Sequence, residues 1–297
     1  MSLPIKNVAV IGASGNLGGP VVDELLAAGF AVTALSRASS TATFPPNVAV
    51  KKVDFSSTSD LTSALQGQDA VVSLIATAAV GAQRPIVDAA VAAGVRRYIP
   101  SEFGINTREA AQHPVGKILA GKIGTVDYLI EKAKENPGFT WTGISTGLFF
   151  DWGLRFGSLG IDVPNKTATI VDSGNEKWQA SNLHHIGKAI AAVLRNPDAV
   201  ANEYIGTASF DVSQNEVLQA VEEVTGTKLS VTRVSSEDLR KLGEEKLAAG
   251  DFSAFLQLVR VWNFADGAGH ALGANSANAK LGLPNDDLKA TIKAVYS

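Results

Sequence analysis

The heptapeptide Gly12-Ala-Ser-Gly15-Asn-Leu-Gly18 stands between an apolar, β-branched run at 6–11 and a stretch in which Leu17, Val21, Val22, Leu25 and Leu26 recur at helical spacing. A strand that turns through glycines straight into a helix leaves few folds open. Gly12 permits a tight turn, Gly15 lets another molecule approach the backbone, and Gly18 lets the helix pack closely on the strand. The first N–H groups of such a helix have no intrahelical acceptor, and the positive end of the helix dipole points the same way. That arrangement receives phosphate. Ser14 and Asn16 can add side-chain hydrogen bonds, and Leu17 belongs to the same cradle.

The pattern repeats. Further strands are expected at 31–36, 48–55, 70–76, 95–100 and 139–146, with helices at 59–65, 82–93 and 114–135, the last closed by Asn136-Pro137-Gly138. Short apolar runs alternating with helices imply right-handed βαβ units and a parallel sheet covered on both faces. The fold class is therefore α/β, a doubly wound parallel sheet. Beyond residue 150 the periodicity weakens: Gly153, Gly157, Gly160, Pro164 and a turn at 172–175 suggest loops and short strands around a pocket. Helical patterns return at 184–195, 213–225, 236–248 and 251–260. The expected division is a main domain over 1–152, with about 183–212 added to it. A smaller α+β substrate lobe covers 153–297, with a soft boundary that the return of 183–212 makes discontinuous.

The composition narrows the partners. The chain has 297 residues, 45% hydrophobic and 19% charged, with no apolar run of the roughly 18 residues needed to span a membrane. It has no cysteine, which excludes disulfides, thiolate metal sites and cysteine nucleophiles. A net charge of −3 without a basic block offers nucleic acid no footprint. The start runs into a strand too soon for a secretory signal. The expectation is a cytoplasmic monomer or homodimer whose partner is a small molecule.

An NAD site places an acidic residue at the end of the second strand, on the ribose 2′-hydroxyl. Here Ser36-Arg37 stands there, and no Asp or Glu lies between residues 25 and 53. A guanidinium grips a 2′-phosphate in bidentate geometry, so NADP(H) is the expected cofactor. A surface arginine without a ligand is the alternative. Asp54 and Phe55 can edge the adenine, and Ala76 and Thr77 can line the cleft.

With these residues in hand, the run Tyr98-Ile-Pro-Ser-Glu-Phe-Gly104 resembles the isoflavone reductase-like and NmrA-like branch of atypical short-chain dehydrogenases. The likeness is good over about residues 5–155 and weaker beyond. It implies a Rossmann, NADP-binding main domain with the nicotinamide beside Pro100, Ser101 and Phe103. It also implies a catalytic lysine at Lys122, within Gly121-Lys122-Ile-Gly-Thr-Val, and a closing segment at Ser145-Thr-Gly-Leu-Phe149. Gly147 departs from the asparagine that plant reductases tend to carry there. A rival for the catalytic role is Tyr128 with Lys132, the Tyr-x-x-x-Lys spacing of typical short-chain dehydrogenases. Lys122 precedes Tyr128 by six residues, about 240° around a helix, so the two assignments turn different faces to the cofactor.

The function implied is NADPH-dependent reduction of a conjugated or aromatic substrate, with Lys122 donating a proton or orienting the cofactor. Phe103, Phe149, Phe150 and Trp152 are the expected substrate walls, with Phe156, Trp262 and Phe264 further candidates. The alternative is an NADP(H)-binding redox sensor that does no chemistry. His184 and His185 are adjacent on a helix start and diverge by about 100°, so capping or surface roles are expected and no metal site. His113, before Pro114, stands where it could overhang the site.

Overall fold

Alternate residues of a strand face opposite sides, and β1 (Asn7–Ile11) buries both. Val8 and Val10 enter one core; Ala9 and Ile11 enter another. A strand apolar on both faces must lie inside a sheet covered twice. The computed structural model, which describes residues 3–297, shows that arrangement. From β1 the chain runs through α1 (Gly18–Ala27), β2 (Ala31–Arg37), β3 (Ala49–Val53), α2 (Thr58–Leu65) and β4 (Ala70–Ser73). It continues through α3 (Gln83–Ala92), β5 (Arg97–Ile99), α4 (Thr107–Ala110), α5 (Pro114–Ile118), α6 (Ala120–Glu135) and β6 (Thr140–Ser145).

Here the chain leaves the sheet. It forms β7 (Leu148–Phe149), α7 (Phe150–Arg155), β8 (Ile161–Asp162), β9 (Thr167–Val171) and β10 (Lys177–Ser181), then returns through α8 (Leu183–Arg195) to β11 (Glu203–Gly206). The remainder is β12 (Phe210–Ser213), α9 (Gln214–Thr225), β13 (Ser230–Val234), α10 (Ser236–Ala248), α11 (Ala254–Phe264), α12 (Asn278–Leu281) and α13 (Leu288–Tyr296).

The large sheet has seven strands in the order β11-β6-β5-β4-β1-β2-β3, every pair parallel. Helices α1 and α8 cover one face through Val21, Leu25, Ile186 and Ile190. Helices α2, α3 and α6 cover the other through Leu61, Leu65, Ile86, Val126 and Leu129. Two three-stranded sheets, β12-β10-β7 and β13-β9-β8, form a separate apolar core. Within residues 183–212, α8 and β11 join the large sheet while β12 lies in a small one.

Two expected elements differ for local reasons. The strand expected over 70–76 leaves the sheet at Ser73. The helix expected over 114–135 breaks at Leu119, whose φ of −91° and ψ of 8° lie outside the helical range. The break lets its two parts pack on different partners. Val115 and Leu119 meet Leu258 and Trp262 of α11, whereas Val126 and Leu129 cover the large sheet.

Candidate active site

Strand order reverses between β1 and β4, and ligands of open α/β sheets bind in the crevice outside the strand ends at such a point. A cavity of about 610 Å³ lies there. It is lined by Gly12, Gly15, Asn16, Leu17 and Gly18 after β1, by Leu74–Thr77 after β4 and by Ser101, Glu102 and Phe103 after β5. Lys122 of α6, Phe149, Trp152 and one face of α11 complete it.

The glycine turn is held by its own backbone: Gly15 N–H donates to Gly12 O at 3.0 Å and Gly18 N–H to Gly15 O at 2.9 Å. Gly12 has φ +81°, and a Cβ there would meet Leu74 O at 2.6 Å. At Gly18 a Cβ would sit 2.1 Å from Ala13 O. At Gly15 the nearest atom would be Gly12 O at 3.3 Å, so its open side is the cavity. The N–H groups of Asn16 and Leu17 find no protein acceptor among the described residues, and the first turn of α1 holds no acidic side chain. A phosphate-sized cradle with unspent donors at a positive helix end fits a dinucleotide pyrophosphate.

The other expected cofactor residues divide. Ala76, Thr77, Ser101, Phe103, Lys122 and Phe149 line the cavity. Ser101 is fixed by its hydroxyl donating to Ile75 O at 2.6 Å. Ser14 is exposed and outside the lining. Pro100 is buried behind the wall, and Ser36 is buried at the end of β2. Arg37 is exposed at the same strand end, where its guanidinium is open to solvent. Asp54 is exposed and takes the Ser56 N–H and hydroxyl, which hold its carboxyl below the usual range. Phe55 packs against the core under β2 and β3.

Lys122 is 6% exposed yet faces the cavity, and among the described residues no carboxylate lies within 4 Å of its ammonium. Burial pushes its pKa down, and the charge of Glu102 opposes that shift. Glu102 is fully buried. Its Oε2 accepts the Thr107 hydroxyl at 2.5 Å and the Tyr204 hydroxyl at 2.9 Å, while Oε1 is left without a partner. Burial pushes the Glu102 carboxyl up, against the Lys122 ammonium and those two hydroxyls. Glu102 stood inside the PSEFG run without an assigned role. Its partner Tyr204 lies 102 residues away on β11, a contact no local pattern announces.

The rival pair lies elsewhere. The Tyr128 hydroxyl donates to Asp88 Oδ1 at 2.5 Å, and Lys132 Nζ is 3.2 Å from the same oxygen. Neither lines the cavity. Phe150, expected on the substrate wall, is instead fully buried, edge-on to Phe210 at 4.9 Å and beside Trp178. The residue before it, Phe149, takes the wall because α7 begins at Phe150 and turns that ring inward. Phe156 is 63% exposed and packs on Trp152 at 4.9 Å, outside the lining, whereas Phe264 is inside it. Trp262 is buried between His113 and His270.

His113 caps α5 through Nδ1, which accepts the Val115 N–H at 3.3 Å, and it does not line the cavity. His184 is exposed beside Glu24, but His185 is buried, its Nδ1 3.7 Å from Asp286, so the surface or capping role expected of it is corrected. Among the described residues no cluster of three or more His, Asp or Glu could hold a metal ion. No helix among them is long and apolar enough to cross a membrane.

The family model described as NmrA-like matches residues 4–270. The chain belongs to the NmrA-like family. Oxidoreductase poxI of Penicillium oxalicum is 35% identical to it over 278 residues, covering 93% of this chain and 88% of that relative. Isoflavone reductase homolog IRL of Zea mays is 30% identical over 259 residues, 81% of each chain. A solved structure described as AtPrR2 with NADP+ and (+)pinoresinol shares the fold, with a TM-score of 0.80 at 22% identity over 99% of this chain and 100% of that one. The resemblance carried by Tyr98–Gly104 is thus confirmed at the level of the family. One departure within this NmrA-like chain has a steric cause. Gly147 has φ +63°, and a Cβ there would lie 1.9 Å from Gln179 O, so no side chain fits.

Proposed function

We propose that the protein is an NADPH-dependent reductase acting on a small conjugated or aromatic substrate, with Lys122 as the proton donor. One observation carries the reading: a buried lysine faces the cavity onto which the glycine cradle opens. The relatives named oxidoreductase and isoflavone reductase homolog support it. So does the solved structure of the same fold described as AtPrR2 with NADP+ and (+)pinoresinol.

The cradle at Gly12–Gly18 holds the pyrophosphate through the Asn16 and Leu17 N–H groups, and Arg37 holds the 2′-phosphate at the end of β2. When bound, NADPH supplies the hydride. Ser101 and Phe103 orient the nicotinamide edge, and Phe149 and Trp152 flank a flat substrate. Lys122 delivers a proton to the substrate oxygen that gains charge. Positioned proton transfer of this kind contributes about 10²–10⁴-fold. Desolvation favours loss of the ammonium's proton, and the charge of Glu102 opposes that loss. Because burial lowers the Lys122 pKa, the ammonium is lost at a pH below the ordinary lysine range, and turnover falls on that alkaline limb.

The test is NADPH titration by fluorescence, followed by NADPH absorbance with a panel of aromatic enones and benzylic ethers. NADPH binding tighter than NADH binding, with consumption of at least one substrate, supports the reading. Tight NADPH binding without turnover anywhere on the panel replaces it with a dinucleotide-reporting role.

A further inference from the structure

Three charged side chains line the cavity: Glu102, Lys122 and Arg260. The first two face each other's charge, and Glu102 is further held by Thr107 and Tyr204. Arg260 has nothing comparable. It lies on α11, half-buried, on the stripe that carries Leu256 and Phe264 one turn to either side. Among the described residues no carboxylate lies within 4 Å of its guanidinium, and none of its donors is hydrogen-bonded. Other arginines drawn out of solvent are satisfied: Arg96 by Asp69, and Arg97 by Thr140, Thr142 and the Pro197 carbonyl. A guanidinium carries five donors in a planar fork matched to an oxyanion, and those of Arg260, half-buried at the cavity and met by no protein group among the described residues, are open to a ligand.

We propose that Arg260 is the anion-recognition group of this cavity and that the substrate is an aromatic or conjugated carboxylate, paired in bidentate fashion with the guanidinium. The proposal rests on the reductase reading and names the substrate class for it. The cofactor pyrophosphate carries the same oxyanion chemistry, but its cradle, Gly12–Gly18, belongs to the large-sheet wall. Arg260 belongs to the α11 wall, among Phe255, Leu256, Val259 and Phe264, where an aromatic ring would lie. Its guanidinium pairs with the substrate carboxylate, while Lys122, on α6, serves the oxygen being reduced.

The experiment is calorimetry with matched probes, cinnamate against methyl cinnamate and 2-naphthoate against its methyl ester. It is run on the NADP-saturated protein and on the unliganded protein, for wild type and Arg260→Met. The methionine keeps an apolar stem and removes the fork. The expected result is that wild type binds each acid about 10-fold or more tightly than its ester, the size of a charge-assisted pair. Arg260→Met brings that ratio to within about twofold, with ester binding and NADP affinity unchanged. Acid and ester binding equally to wild type, or no acid binding, overturns the proposal, as does a preference that survives in Arg260→Met. A fall in NADP affinity in Arg260→Met overturns it by assigning the guanidinium to the cofactor phosphate. Failure of NADP to bind wild type would instead strike the reductase reading, and the acid-to-ester ratio of the unliganded protein would still judge this one.

Discussion

The cavity wall supplied by the large sheet is built around a backbone cradle, and the wall supplied by β7, α7 and α11 is built from side chains. On the first, Gly12, Gly15 and Gly18 present N–H groups and tight turns that tolerate no added atom at two of the three positions. On the second, Phe149, Trp152, Leu256, Val259, Arg260 and Phe264 present rings, branches and one charge. A backbone wall suits a ligand whose shape never changes, such as a dinucleotide. A side-chain wall changes its selectivity one substitution at a time. The two walls should therefore fail in different ways.

The largest expected effect is at Phe150, the ring that turns away from the second wall. Phe150→Ala empties a fully buried site against Phe210 and Trp178 and should cost about 3–5 kcal/mol in denaturant unfolding. Phe149→Ala, on the wall itself, should leave the unfolding midpoint close to wild type and weaken substrate binding. Equal stability losses in the two variants would erase the distinction between core and wall. Gly18→Ala comes next, because its methyl would fall 2.1 Å from Ala13 O and push α1 off β1. A loss of about 1–3 kcal/mol is expected, together with loss of NADPH binding. Gly19→Ala, where nothing lies within 4 Å of the added methyl, is the control and should be neutral. If both glycine variants bind NADPH normally, the first wall is not the cradle.

Arg37→Gln should weaken NADPH binding by about 10-fold or more without altering NADH binding, since one charge-assisted bidentate contact is removed. Parallel losses for both cofactors would place Arg37 outside the 2′-phosphate site. The smallest effect belongs to Tyr128→Phe. Its hydroxyl is spent on Asp88 outside the cavity, so kcat/KM should stay within about twofold of wild type. A loss of 100-fold or more would restore the Tyr128 and Lys132 pair as the catalytic residues, about the range that positioned acid–base groups contribute.

The same contrast explains what could be read in advance. Strands β1, β2, β5 and β6 and helices α1, α8, α9 and α10 follow a local period and stand within a few residues of their expected places. The ends of β4 and α5 do not, because they are decided by contacts distant in sequence. Leu74 leaves the sheet where its carbonyl meets Gly12, and the chain breaks at Leu119 where α11 packs. Strands β7 and β8 have two residues each, too few for any alternation to show, and β13 is mostly exposed. At the site, glycine spacing and the PSEFG run pointed to most of the large-sheet wall. On the α11 wall only Phe264 stood among the expected candidates; Arg260 escaped because it recurs with Gln257 and Asn263 at three-residue spacing, which reads as a solvent face and not as a cavity wall. Glu102 escaped because its meaning depends on Tyr204, and Phe150 misled because adjacent aromatic residues look alike until a helix begins between them.

The central claim is that the buried Lys122 does the protonation in a cavity whose glycine cradle binds the cofactor independently. The most direct measurement is single-turnover NADPH oxidation by wild type and Lys122→Ala, with NADPH affinity determined for both. The account predicts an oxidation rate lower by about 100-fold or more with NADPH affinity within about twofold of wild type. An undiminished rate, or a loss that merely follows weaker NADPH binding, would contradict it.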